Sequence, residues 1–199
     1  MTWRSALALL ALLCVATIPL SAAPVSQSIC DNTPGNLVLN CGFETGDFTG
    51  WLVTGNTGAT FVNGGGYANS GNIGAQLGPA DSDGFLTQTL PTVAGPVNLS
   101  FYLISPGGTP NDFTVNWDGI DIGPDLLNAG AFTYTQYSYV LSGMGSDTLQ
   151  FQYRQDPSTW GLDDIVVTQA STGTPEPGTI GMLFGGLGLI VVGLRRRRA

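Results

Sequence analysis

The chain of 199 residues contains no histidine and no lysine, and only 10% of its residues are charged. Without histidine there is no Ser-His-Asp or Cys-His nucleophile system and no histidine-bearing zinc site. Without lysine there is no Schiff-base chemistry and no phosphate-cradling loop of the Walker type. Positive charge is scarcest where a folded body would lie. Of the six arginines, Arg4 stands near the N-terminus and Arg195, Arg196, Arg197 and Arg198 near the C-terminus. Residues 24–174 hold 13 acidic side chains against the single base Arg154, a net charge of −12. Such a body repels phosphate backbones, which argues against nucleic acid as a partner, and it attracts divalent cations.

What the chain does have begins with its two ends. Met1 to Ala23 reads as a secretory signal peptide: Arg4 in a short leading region, an apolar stretch from Ala6 to Leu20, then small residues at Ser21, Ala22 and Ala23. Signal peptidase is the partner this implies, with cleavage expected after Ala23. At the other end, Thr179 to Leu194 is an uncharged run of 16 residues followed at once by four arginines. The expectation is one transmembrane helix over residues 178–194 and a basic cytoplasmic tail over 195–199, the arginines setting the orientation.

Pro175-Glu176-Pro177, then a single apolar span, then an arginine cluster at the terminus, resembles the PEP-CTERM sorting signal. All three parts stand in order at the chain end. The resemblance implies recognition by an exosortase, a membrane-embedded processing enzyme, with removal of the tail near Pro175, Glu176 and Pro177. It also implies a Gram-negative-type host that makes extracellular polysaccharide. Prolines 175 and 177 favour extended backbone just outside the membrane, where a processing enzyme has access.

Between the signals, 29 glycines, 12 prolines and frequent β-branched and aromatic residues suit short strands joined by turns. Leu149, Phe151 and Tyr153 alternate with Gln150, Gln152 and Arg154, the mark of a half-buried strand. Leu99, Phe101 and Leu103 do the same, as do Phe113, Val115 and Trp117. Trp160 to Thr168 supplies a closing strand. Leu37–Leu39, Trp51–Val53, Ala59–Val62, Gly74–Leu77 and Phe85–Leu90 are further strand candidates. In Ala131 to Val140 the aromatic parity switches between Tyr134 and Tyr137, which predicts either a β-bulge near Thr135-Gln136 or a strand changing sheets. Nine or ten such strands predict an all-β domain, a jelly-roll β-sandwich over residues 37–168. It would have a flexible lead over 24–36 and a linker over 169–177.

Three cysteines occur, and Cys14 leaves with the signal peptide. Cys30 and Cys41 remain, an even number in an exported chain, which favours a disulfide closing a loop of about 12 residues.

The segment Asn40-Cys41-Gly42-Phe43-Glu44, followed by Trp51, is similar to the opening of many carbohydrate-binding jelly rolls. Trp160-Gly161-Leu162-Asp163-Asp164-Ile165 is similar to their closing strand. Cys41 departs from the glycine usual after the opening asparagine. The resemblance implies one structural calcium, with Glu44 and Asp164 as ligands and Asp163 and Asp47 in reserve. The alternative is that these are ordinary polar residues at strand ends. Adjacent aspartates on a regular strand point to opposite faces, so Asp163 and Asp164 would not form a glycosidase pair by themselves. Aromatics of sandwiches mostly pack in the core; Tyr137 and Tyr139, after the parity switch, are the candidates for exposed glycan-stacking positions.

Three functions stay open. The first is a noncatalytic surface or matrix protein associated with exopolysaccharide or biofilm, which makes the chain no enzyme. The second is a calcium-stabilised, lectin-like carbohydrate-binding module. The third is a surface glycoside hydrolase, which would need two carboxylates facing one open groove.

Overall fold

The structure, a computed structural model, describes residues 27–170. The expected signal peptide, the Pro-Glu-Pro motif, the helix over 178–194 and the arginine tail lie outside the described residues. Within them the fold is all β, and no helix is long and apolar enough to cross a membrane.

Eleven strands form in chain order: β1 (Leu52–Gly55), β2 (Phe61–Asn63), β3 (Gly74–Leu77), β4 (Gly84–Leu90), β5 (Gly95–Ser105), β6 (Asn111–Trp117), β7 (Ile120–Asp121), β8 (Leu126–Leu127), β9 (Phe132–Gly143), β10 (Asp147–Gln155) and β11 (Trp160–Gln169). They make two antiparallel sheets. The first runs β1-β4-β10-β6-β7, with β8 also paired to β6; the second runs β2-β3-β11-β5-β9. Neighbours within each sheet are mostly distant in sequence, which is the crossover pattern of a jelly roll.

The alternation in sequence decides which side of each strand is buried. On β10, Leu149, Phe151 and Tyr153 are buried, while Gln150, Gln152 and Arg154 face outward. β4, β5 and β6 follow the same rule. The inward rows meet in one aromatic-rich core. Phe101 packs edge-on against Phe151 at 5.2 Å between centroids, and Phe113 lies 5.6 Å from Trp160. Burying such rings removes 150–250 Å² each from water, about 4–6 kcal/mol by area before entropy is counted. Among the described residues, one continuous core running from Cys30 to Val167 fills the space between the two sheets.

Two local expectations differ from the structure, and a third, the bulge, is borne out. Residues 28–36 are pinned rather than flexible: Cys30 is bridged to Cys41, and Asn36 bonds through its side chain to Cys30, Ile165, Val38 and Val167. Leu37–Leu39 forms no ladder. Leu37 N–H donates to the Val167 carbonyl and Leu39 N–H to the Gln88 side chain, so its donors are satisfied one at a time rather than by a neighbouring strand. On β9 the parity switch is a bulge: Leu103 pairs with Thr135 while Ser105 pairs with Phe132, and both Thr135 and Gln136 are exposed.

Candidate functional site

The chemistry-bearing side chains gather at two places. The first is where β11 breaks its own regularity. Its pairing with β5 shifts between Asp163 and Val166, and Asp164 adopts a left-handed backbone with φ of 50°, a conformation aspartate tolerates better than most residues. The bulge overrides the alternation expected of a strand. Asp163 and Asp164 are both buried, and both turn to the same loop at residues 69–70. Asp163 Oδ2 accepts from the backbone N–H groups of Asn69 (2.7 Å) and Ser70 (3.2 Å). Asp164 accepts from Ser70 Oγ (2.7 Å), Asn69 Nδ2 (2.8 Å) and the Cys30 N–H (3.3 Å).

Glu44 holds the far end of the same loop. Its Oε1 accepts from the N–H groups of Asn72 (2.8 Å) and Ile73 (3.2 Å). Gly71 lies between the two grips with φ of 70°, and a Cβ there would collide with the Glu44 carboxylate, so glycine is required twice over. Asp47 stays apart. It is exposed and caps its own turn, accepting from Thr45 Oγ1 (2.8 Å) and the Thr49 N–H (2.9 Å); the Thr49 contacts hold its carboxyl below the usual carboxylate range. The disulfide joins the node: Cys30 and Cys41 lie 6.0 Å apart at Cα, and the Cys41 carbonyl accepts from Ile165 N–H.

Every partner of Asp163 and Asp164 is neutral. Burial, and then the charge of Asp164, push the Asp163 carboxyl up to about 8. The one base among the described residues, Arg154, is engaged by Asp156 at 2.5 Å. Buried carboxylates without a counter-charge are costly. Here N–H donors and one hydroxyl, Ser70 Oγ, face the two carboxylates, and the carboxylate and hydroxyl oxygens are the only atoms in this set of the type a hard cation such as calcium takes. A separate cluster, Cys30, Asp31 and Cys41, has metal-ligand spacing, but its sulfurs are joined to each other and offer no thiolate.

The second place is the outer face of the first sheet. The register sets Thr54, Phe85, Gln152 and Thr114 side by side across β1, β4, β10 and β6. Thr87, Gln150 and Asn116 form the next row, with Asp121 beyond. Beside them is an open cleft of about 260 Å³ lined by Asp83, Asp112, Thr114, Asp121, Asp125 and Gln152. Gln152 donates to Asp83 (2.8 Å), and Thr114 donates to Asp121 (2.8 Å). Burial, then the charge of Asp83, push the Asp112 carboxyl up to about 6. Hydroxyl, amide and carboxylate groups on a shallow face with one half-buried phenyl ring, Phe85, form a polar, hydrogen-bonding surface.

Tyr137 and Tyr139 do not form an exposed platform. Both are half-buried at the edge of the sandwich, stacked on Phe101 with interplanar angles of 17° and 16°. Trp51 and Trp160 are buried. Asn69, Ser70, Asp112 and Asp125 were not legible as site residues. Asp112 alone carried a signal, since it shares the outward parity of Thr114 and Asn116.

The C-terminal part of the chain has a known counterpart. Residues 174–198 match the PEP-CTERM protein-sorting motif. The PEP-CTERM match leaves the body to be compared by fold, since no curated protein matches the sequence. The body is similar to TmCBM61, a carbohydrate-binding module solved in complex with β-1,4-galactotriose, with a TM-score of 0.57 and 20% identity, covering 68% of this chain and 99% of that one. It is similar to the enzymatically active domain of bacteriophage CBA120 tailspike protein 4, with a TM-score of 0.50 and 12% identity, covering 68% of this chain and 21% of that one. It is also similar, at a TM-score of 0.46 and 17% identity, to the CBM22-1 xylan-binding domain of Paenibacillus barcinonensis Xyn10C, covering 69% of this chain and 97% of that one. At 20% identity the likeness to TmCBM61 establishes the fold alone: a jelly-roll sandwich of the carbohydrate-binding-module type.

Proposed function

We propose that this is a noncatalytic exported protein, delivered to the cell surface or extracellular matrix by exosortase processing of its C-terminal signal, where its body associates with exopolysaccharide. The observation that carries the reading is the pairing of the PEP-CTERM motif at residues 174–198 with a jelly roll of carbohydrate-binding type. The precursor has signal peptide and tail removed in turn, by signal peptidase and exosortase. Before processing, its helix over 178–194 anchors it in the membrane with the arginines on the cytoplasmic side.

A lectin-like reading is favoured by the outer face of the first sheet. Gln150, Gln152, Asn116 and Thr114 would exchange hydrogen bonds with sugar hydroxyls, and Phe85 would cover an apolar ring face. One structural calcium would sit at the β11 bulge. Asp163 and Asp164 would be its carboxylate ligands, with Ser70 Oγ the neighbouring neutral oxygen. When bound there, calcium would neutralise the paired carboxylates, while Glu44 and the disulfide hold the loop and the lead segment around the site.

Deleting Arg195 to Arg198 tests the delivery. The deletion is expected to leave a longer, unprocessed protein that does not reach the surface, measured by mass and by surface labelling of intact cells. A deletion variant that is processed and displayed normally would contradict it.

A further inference from the structure

The two sheets have four edges, and three are short. β1 has four residues, β2 three and β7 two, whereas β9 offers twelve. Short, charged or covered edges are the usual protection against strand addition. Among the described residues β9 is long, uncharged and exposed on its outward positions from Gln136 to Val140, its bulge lying at the Phe132–Thr135 end. No charged residue and no proline occurs from Leu126 to Ser146, between Asp125 and Asp147.

The direction of its free groups follows from the register. Ala170 N–H donates to the Pro96 carbonyl at 2.9 Å, so Pro96 directs its carbonyl toward β11 and away from β9. Pro96 pairs across β9 with Ser142. In an antiparallel ladder the two backbone groups of a residue point the same way and alternate along the strand. Ser142, Val140, Ser138 and Gln136 therefore direct N–H and C=O away from β5. The Ser142 carbonyl accepts from Trp117 Nε1 (3.2 Å). The backbone groups of Gln136, Ser138 and Val140 have no hydrogen-bond partner among the described residues, and their side chains are exposed, Val140 at 76%.

We infer that β9 is a self-pairing edge: two copies of this chain join β9 to β9 antiparallel, extending the second sheet across the dimer. The chemistry of free, alternating N–H and C=O groups selects another strand. The charge distribution selects a second copy. The body is strongly acidic, and Asp83, Asp112, Asp121 and Asp125 crowd the first sheet, so most orientations of two copies repel. The outer surface around β9, with Asn98, Ser100, Ser138, Val140, Val166 and Thr168, is uncharged, and here two copies meet without that penalty. A two-fold pairing uses up the long edge of each copy, so the product is a closed dimer, not a fibre.

Sedimentation equilibrium of residues 24–174 over a micromolar concentration range tests this. The expected result is twice the monomer mass at the upper end. Ser138→Pro removes an outward N–H while leaving the bonds to β5, a position where an edge strand accepts proline, and is expected to weaken the dimer at least about tenfold. Ser138→Thr is expected to retain it. Val140→Lys is a second variant, expected to give a folded monomer with unchanged circular dichroism. A wild-type body that is monomeric throughout overturns the self-pairing and leaves the edge to a strand of another protein. A dimer that survives both Ser138→Pro and Val140→Lys overturns it too. Neither outcome depends on polysaccharide binding.

Discussion

Replacing Cys30 and Cys41 together by alanine isolates what the disulfide contributes. The bridge spans a sequence separation of 11. In the chain-entropy treatment, closing a loop of about 12 residues in the unfolded chain is worth roughly 3 kcal/mol. The folded state keeps other ties between the lead segment and the sheet: Leu37 N–H to the Val167 carbonyl, Ile165 N–H to the Cys41 carbonyl, and the four side-chain bonds of Asn36. The double variant should therefore keep its native fold and lose stability mainly because its unfolded state gains freedom. Urea unfolding of residues 24–174, oxidised wild type against the double variant, should differ by about 3 kcal/mol. For a domain of this size that corresponds to a melting temperature lower by about 10 °C. A difference below about 1 kcal/mol would refute the reasoning, because it would mean that the lead segment stays ordered in the unfolded chain or that the bridge is strained in the folded one. Labelling of free thiols in the oxidised wild type would refute the pairing itself.

The Asp163 carboxyl holds its proton to about pH 8 in the folded state and releases it near 4 when unfolded, so in chelator stability falls as pH rises through that window, by up to about 1.4 kcal/mol per unit. Thermal melts in chelator at several pH values should show this slope, Asp163→Asn should abolish it between about pH 6 and 8, above the range in which Asp112 titrates, and calcium at pH 8 should raise the melting temperature of the wild type but not of Asp164→Asn. A Cβ added at Gly74 would run into the Tyr67 carbonyl on buried β3, so Gly74→Ala should cost about 3 kcal/mol. Gly130→Ala, with nothing within 4 Å, should be close to neutral; equal effects in urea unfolding would contradict the packing described.

Much of the fold was legible because burial imposes period-two patterns on sequence. Gly74–Leu77 and the alternating run at 149–154 were read directly, and the aromatic parity switch located the β9 bulge to within about two residues. β7 and β8 have two residues each, too few to carry any period. The paired aspartates show why the site was harder. Alternation sends Asp163 and Asp164 to opposite faces, and only the left-handed turn at Asp164 brings them together; nothing local in Asp-Asp announces such a turn. Loop 69–73 was invisible for a related reason. Its order comes from carboxylates supplied by Glu44 and β11, nearly 30 and more than 90 residues away in sequence. The polar face of the first sheet was present in the outward parity of β6 and β10, but polar outward residues are what any solvated sheet shows.

The most direct test of the central claim is titration of residues 24–174 with the host's own exopolysaccharide, once with calcium and once with chelator. The account predicts saturable binding with calcium, loss or marked weakening in chelator, weakening by Gln152→Ala, and no release of reducing ends. Absence of binding in both conditions would contradict the carbohydrate role and leave a sorted structural protein. Release of reducing ends would contradict the noncatalytic reading and turn attention to Asp83, Asp112, Asp121 and Asp125.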